Sequence, residues 1–237
     1  KTFNEFTAEM RARLDPQAFF KAKQLEQAER YARYNDTPFS LEPNCKESPG
    51  GLRDLQIIRW IGRATGLGTS WRQLAKNDLL TDTEARHLEH IERFLQHTRI
   101  RLHYIAGRRE EKLLFEHQEA VALAFGIGRS AAKRASELLM QRYYRNAKYI
   151  TQLNTILLQN FGERLFPARI AAPIFIDRNF QVQRDLLDVR SEDLFQREPR
   201  TILESFLILQ QRSELKGMTA RTLRALWRAH NRIDATF

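Results

Sequence analysis

Two cations bracket a glycine corner in residues 41–56, LEPNCKESPGGLRDLQ: Lys46 precedes Pro49-Gly50-Gly51, and Arg53 follows it. The Pro-Gly-Gly triplet permits a sharp turn with positive φ. With Gly51 near the N-cap, Arg53 and Asp54 fall in the first turn of the next helix. Unpaired N–H groups and the helix dipole favour an anion at such an end. Lys46 and Arg53 flank the same spot, so backbone donors plus two cations form a phosphate cradle. Glu42, Pro43, Asn44, Pro49, Gly50, Gly51 and Asp54 are the residues expected to shape it. Glu42-Pro43 should be extended, because proline disfavours helix in the residue before it. The same spacing also admits a purely architectural corner, in which Asp54 caps its own helix and Glu42 pairs with Arg53. Spacing alone leaves the two open.

Other constellations carry less chemistry. A two-metal nucleotidyl transfer site needs Asp-x-Asp, and an HD-type phosphohydrolase needs a His-Asp dipeptide; neither occurs in this sequence. His87, His90 and His97 share one helix, but no third ligand joins them in a zinc pattern, so they are expected to be solvated and no metal site is assigned. GIGRSAAKR, residues 126–134, lacks the Gly-Lys-Ser/Thr ending of a phosphate loop and follows no strand. Cys45 has no evident base beside it and reads as an idle or buried thiol. Asp185 and Asp188 read as cap or salt-bridge residues.

The elements that must position the corner are helical. Glycine and proline are scarce, with 10 and 7 copies. Residues 16–34 form a charged amphipathic helix. Residues 52–65 form a largely buried one, with Leu52, Leu55 and Ile58 on one stripe and Ile57, Trp60, Ile61 and Ala64 on another. A short helix covers 69–77. Thr81 and Glu84 make a capping box. Leu88, Ile91, Leu95, Thr98, Leu102 and Ile105 then follow at helical spacing, until Gly107 stops the helix. Residues 116–125 add a turn or two. A long helix from Ser130 to about Asn160 carries Ala135, Leu139, Tyr143, Ala147, Ile150, Leu153 and Leu157 on one side. PIFIDRNFQVQ predicts a hairpin turning at Asp177-Arg178-Asn179. Pro199 suits the first turn of a helix running to Arg212. Thr219 caps a last helix with Leu223, Leu226 and Trp227 inward and Arg221, Arg224 and Arg228 outward.

Composition sets the class. The 237 residues suffice for one sizeable core or two small ones, and 42% hydrophobic with 29% charged residues is globular. One cysteine excludes an internal disulfide and suits a reducing compartment, and the cytoplasm is expected. No run approaches the ~18 apolar residues of a membrane span, and the first residues lack a signal-peptide core. The net charge is +10. Residues 129–150 and 212–232 each carry a local excess of five positive charges. Such faces attract nucleic acid, a nucleotide or an acidic protein, or are simply solvated docking surfaces. A basic nucleic-acid-binding module and a pure domain-docking module are therefore alternatives. Nucleic acid is the weaker of these, because no recognised motif accompanies the charge.

SLEPNCKESPGGLRDL closely resembles the signature of bacterial PII uridylyltransferase/uridylyl-removing enzymes. RYARYNDTPFSLEPN, KLLFEHQEAVA and FQVQRDLLDVRSEDLFQREPRTIL are similar to further blocks of that family, so the resemblance covers nearly the whole chain. Cys45 departs from the family pattern. A more distant cousin is glutamine synthetase adenylyltransferase. The resemblance implies a mainly α fold, a multi-helix bundle of the nucleotidyltransferase substrate-binding type, with a small β-hairpin near residues 173–183. Residues 1–162 would be the bundle carrying EPNCKESPGGLRD. Residues 163–237 would be the hairpin and C-terminal helices leading toward an HD domain, the whole forming one compact unit. It further implies a parent enzyme that uses UTP and magnesium to uridylylate a tyrosine of the PII signal protein, and that removes UMP when glutamine is abundant. Its nucleotidyltransferase, HD and ACT domains would adjoin this segment, which holds no catalytic residue of its own. Lys46 and Arg53 would touch the triphosphate or brace the cleft.

Overall fold

The computed structural model describes residues 13–128, 133–167 and 172–229, with Thr2, Glu5 and Glu9 besides. Among them are nine helices and one small sheet. The helices are α1 (Pro16–Ala32), α2 (Leu52–Ala64), α3 (Trp71–Lys76), α4 (Asp82–Ala106), α5 (Phe115–Ala124), α6 (Ala135–Leu165), α7 (Leu194–Arg197), α8 (Thr201–Gln211) and α9 (Ala220–Ala229). The strands are β1 (Ile174–Phe175), β2 (Phe180–Gln183) and β3 (Leu186–Val189). The chain divides into two compact units, Lys1–Thr155 and Ile156–Phe237.

In the first unit α1 packs on α2, α2 and α3 on α4, and α4 on α5. Local chemistry starts and stops these helices. Asp15 accepts from the Gln17 and Ala18 amides at the start of α1, with Pro16 as its first residue. Thr81 and Glu84 close the expected capping box on α4, and Gly107 ends it in the left-handed conformation at φ 64°. Leu88, Ile91, Leu95, Thr98 and Leu102 are buried as their spacing predicts. Ile105, at the end of the same stripe, is 37% exposed instead. Along α6 the predicted residues Ala135, Leu139, Tyr143, Ala147, Ile150, Leu153 and Leu157 are all buried. The expected first turn of that helix at Ser130 lies outside the described residues.

The second unit holds a meander rather than a lone hairpin. Strand β1 pairs antiparallel with β2 across the expected turn, and β2 pairs antiparallel with β3. The third strand escaped the sequence pattern because Arg184 and Asp185 turn tightly at φ 56° and 60°. Non-glycine residues rarely take that conformation. Phe180, Leu187 and Val189 join Phe195, Ile202 and Ala225 in the core of this unit. Pro199 precedes the N-cap Arg200 of α8 instead of standing in its first turn. On α9 the buried positions are Ala220, Thr222, Ala225 and Ala229, with Leu223 and Leu226 only partly buried against the core. The inner face of α9 is lined by alanine and threonine, so its strong amphipathic pattern pointed instead to the larger Leu223, Leu226 and Trp227.

Candidate functional site

The corner is built by backbone first. The Pro43 carbonyl accepts from the Leu113 amide at 2.8 Å, and the Cys45 amide donates to the Glu111 carbonyl at 2.8 Å. This isolated bridge pairs Asn44 with Lys112 and pins the extended entry to the segment before α5. Asn44 then turns the chain: its Oδ1 accepts from the Lys46 and Glu47 amides at 3.0 and 2.8 Å. Gly50 follows at φ 77°, against the backbone of α6. A Cβ there would stand 2.4 Å from the Ala147 carbonyl oxygen, so glycine is required by both conformation and space. Gly51 is the N-cap of α2, in an extended conformation.

The helix start is not an open cradle. The Leu52 amide donates to the Cys45 carbonyl at 3.1 Å and the Arg53 amide to the Lys46 carbonyl at 2.8 Å. The Gly51 amide is taken by the Ser48 carbonyl at 2.8 Å, and the Gly50 amide by Asp54 at 2.7 Å. The loop wraps back over its own helix and satisfies the donors that the spacing alone left free. Any anion at this corner is therefore held by side chains.

Asp54 lies beneath the corner, fully buried, and is its keystone. One oxygen forms an ion pair with Arg30, itself only 3% exposed, and the other accepts from the Tyr31 hydroxyl at 2.6 Å and from the Gly50 amide. Arg30 also donates to the Glu47 carbonyl at 2.6 Å. Burial pushes the Asp54 carboxyl up from its usual range, against the pull of Arg30, Tyr31 and Gly50. Burial and the Asp54 charge push the Tyr31 hydroxyl far up too, so it remains a donor. Asp54 thus caps the corner by reaching back to Gly50, as the architectural alternative foresaw, but its cation comes from α1. Arg30 and Tyr31 were missed as site residues. Their one signal is that RYARYNDTPFSLEPN, a block of the family resemblance, begins at Arg30.

Lys46 and Arg53 do converge. Arg53 Nη2 lies 2.9 Å and Lys46 Nζ 3.4 Å from the same Glu47 oxygen. The three side chains stay 20%, 21% and 27% exposed for Lys46, Arg53 and Glu47, so they reach the surface. Burial opposes ionisation of Glu47, but Arg53 and then Lys46 outweigh it and hold the carboxyl below its usual range. Arg53 also donates to Gln56 at 3.0 Å, and its guanidinium lies 5.3 Å from the Trp60 ring centre. The expected Glu42–Arg53 pair does not form. Glu42 instead accepts from the Phe115 amide at 2.9 Å at the start of α5 and pairs with Lys112 at 3.3 Å. Glu47, absent from the candidate residues, takes the place at Arg53; an acid beside its own cation gives no distinguishing pattern.

The remaining candidates are structural. Cys45 is buried, and burial followed by the Glu111 charge pushes its thiol up to about 12, so it stays protonated. His87 packs edge-on to Tyr149 at 4.4 Å. Asp188 is buried on β3, where Arg221, Thr219 and Gln181 all donate to it. Arg221 therefore turns toward the sheet and not outward as expected. Arg212, Lys216 and Arg228 pair with Glu214, Asp185 and Glu192. GIGRSAAKR lies partly outside the described residues. Among those residues no group of three His, Cys, Asp or Glu could hold a metal ion, and no helix is long and apolar enough to cross a membrane.

Fold and site together define a helical module whose surface offers two cations over a clamped glycine corner, with no carboxylate set for metal chemistry among the described residues. The family model described as GlnD PII-uridylyltransferase matches residues 18–158, and that of the uridylyltransferase GlnD third domain matches 180–237. The chain belongs to the GlnD PII-uridylyltransferase family. It is similar to the bifunctional uridylyltransferase/uridylyl-removing enzyme of Aromatoleum aromaticum, at 65% identity over 99% of this chain and 27% of that protein. Proteins of the same name from Bordetella parapertussis and Nitrosospira multiformis are 54% and 49% identical, over 96% and 99% of this chain and 26% of each relative. The chain thus spans about a quarter of the length of the curated relatives it matches. No solved structure matches it.

Proposed function

We propose that this chain is the helical substrate-side segment of a bifunctional uridylyltransferase/uridylyl-removing enzyme, in which Lys46 and Arg53 hold the triphosphate of UTP at one wall of the catalytic cleft. The observation that carries this reading is the shared Glu47 carboxylate. Two cations are already arranged around an anionic oxygen at the surface. A triphosphate carries more charge than a carboxylate and would displace Glu47 from between them. Arg30, Asp54 and Gly50 fix the loop, so the two cations need little reorganisation when the ligand arrives. Glu42, Pro43, Asn44, Pro49, Gly51 and Asp54 act through the shape of this loop.

The residues present do not fit magnesium. Glu47 is neutralised by Lys46 and Arg53, and Asp54 is sealed under Arg30. The metal and the catalytic carboxylates of the parent enzyme therefore belong to an adjoining nucleotidyltransferase domain. Residues 1–162 form its helical neighbour, and residues 163–237 lead toward an HD domain that removes UMP. PII is the macromolecular substrate, glutamine the effector sensed with the ACT domains, and the cytoplasm the compartment. A docking role alongside is favoured by α8, where Leu203, Phe206 and Leu207 stay half exposed or more at helical spacing. A nucleic-acid role has less support, because Arg212, Lys216, Arg221 and Arg228 are engaged by acids.

The full-length enzyme, given UTP, magnesium and PII, should add one UMP to each modified tyrosine, read as a mass gain on PII. Transfer of a different nucleotide, or no gain in mass from an enzyme that is folded, contradicts the reading.

A further inference from the structure

Helix α2 carries a second feature on the face that bears Arg53. A groove of about 230 Å³ is lined by Gln56, Arg59, Trp60, Arg63 and Thr69. We propose that this groove is an anion site for a condensed phosphate such as inorganic pyrophosphate, separate from the Lys46–Arg53 pair.

The lining carries two guanidinium groups and no carboxylate. Arg59 is fixed in place: it donates to the Thr69 carbonyl at 3.3 Å and to Glu92 at 3.0 Å, while Glu92 also accepts from the Trp71 indole at 2.8 Å. The Arg63 guanidinium, one helical turn further on, has no hydrogen-bond or ion-pair partner among the described residues. Side chains four apart on a helix are neighbours, with Cβ atoms about 5–6 Å apart, so both forks can meet one multiply charged anion. Guanidinium forks match phosphate oxygens in pairs, which favours phosphate over a compact halide. Trp60 does not offer a free platform for a base. The Lys23 ammonium and the Arg53 guanidinium already stand 5.0 and 5.3 Å from its ring centre. That favours a bare condensed phosphate over a nucleobase. Gln56 borders the groove while its Oε1 is held by Arg53 at 3.0 Å, so the groove and the Lys46–Arg53 pair are neighbours along one helix.

The proposal does not rest on the role given to Lys46 and Arg53, and its test separates the two. Pyrophosphate, orthophosphate and UTP are titrated calorimetrically into the protein at about 0.1 M salt, with wild type, Arg63→Ala, Arg63→Lys and Lys46→Ala. Arg63→Ala should weaken pyrophosphate at least tenfold with an unchanged melting temperature. Arg63→Lys should weaken it less, and Lys46→Ala should change it little. The proposal is overturned by any of three results: undiminished pyrophosphate affinity in Arg63→Ala, loss on Lys46→Ala alone, or equal affinity for orthophosphate and pyrophosphate. UTP binding that depends on Lys46 and not on Arg63 would leave the groove as a site for the free anion, as proposed; UTP binding that needs both would make the groove and the Lys46–Arg53 pair one site and overturn their separation.

Discussion

Arg30 on α1 and Asp54 on α2 form a buried ion pair that locks the glycine corner from below. The same guanidinium holds the Glu47 carbonyl, and the same carboxylate holds the Gly50 amide. One pair thus fixes both ends of the loop that presents Lys46 and Arg53.

Breaking that pair leaves a buried charge without its partner, which typically costs about 3–5 kcal/mol. Asp54→Ala and Arg30→Ala should each lower the unfolding free energy by about that much in urea titrations. The double variant should cost less than the two losses added, because the partners share one interaction. Strictly additive losses would show that the pair is not the lock described.

Gly50→Ala should be nearly as damaging. It forces a side chain into positive φ and drives a Cβ to 2.4 Å from the Ala147 carbonyl oxygen. Strain and overpacking together predict a loss of about 2–4 kcal/mol. Ala147→Gly should not rescue it, because the clash is with backbone atoms. A rescued melting temperature would show that the clash is with the Ala147 methyl and not with the backbone.

The pH response should run through Glu111. Burial opposes its ionisation, but Arg99, in a two-pronged contact at 2.7 Å, and then Arg109 and Lys46 hold its carboxyl below the usual 4.5. A carboxylate depressed in the folded state binds more protons when unfolded. Its contribution is therefore complete above about pH 4.5 and fades as pH falls through the lower folded value. The stability gap between wild type and Glu111→Gln should be widest near neutrality and should narrow as pH falls below the usual 4.5. A gap independent of pH would contradict this.

Much of the fold was legible because α4 and α6 bury residues at regular spacing and end on strong signals such as the Thr81–Glu84 box. The third strand was hidden by two residues in a rare turn conformation, and the inner face of α9 by its small side chains. In the corner, local rules foresaw a turn with positive φ within Pro49-Gly50-Gly51 and an N-cap near Gly51. They could not foresee that loop carbonyls would consume the helix-start amides, or that Asp54 would find Arg30, because neither partner is set by local propensity. The Glu42 contact with Phe115 is equally remote: it joins two sequence blocks that resembled the family separately.

The central claim is that Lys46 and Arg53 serve the nucleotide, while Asp54 and Gly50 serve the shape of the loop. The direct measurement is steady-state uridylylation of PII by the full-length enzyme carrying Lys46→Ala or Arg53→Ala, with melting temperatures taken alongside. The account predicts a fall of at least tenfold in kcat/KM for UTP, about 1.4 kcal/mol of lost transition-state stabilisation, with the melting temperature close to wild type. Wild-type kinetics in both folded variants would show instead that the two cations do no more than hold Glu47.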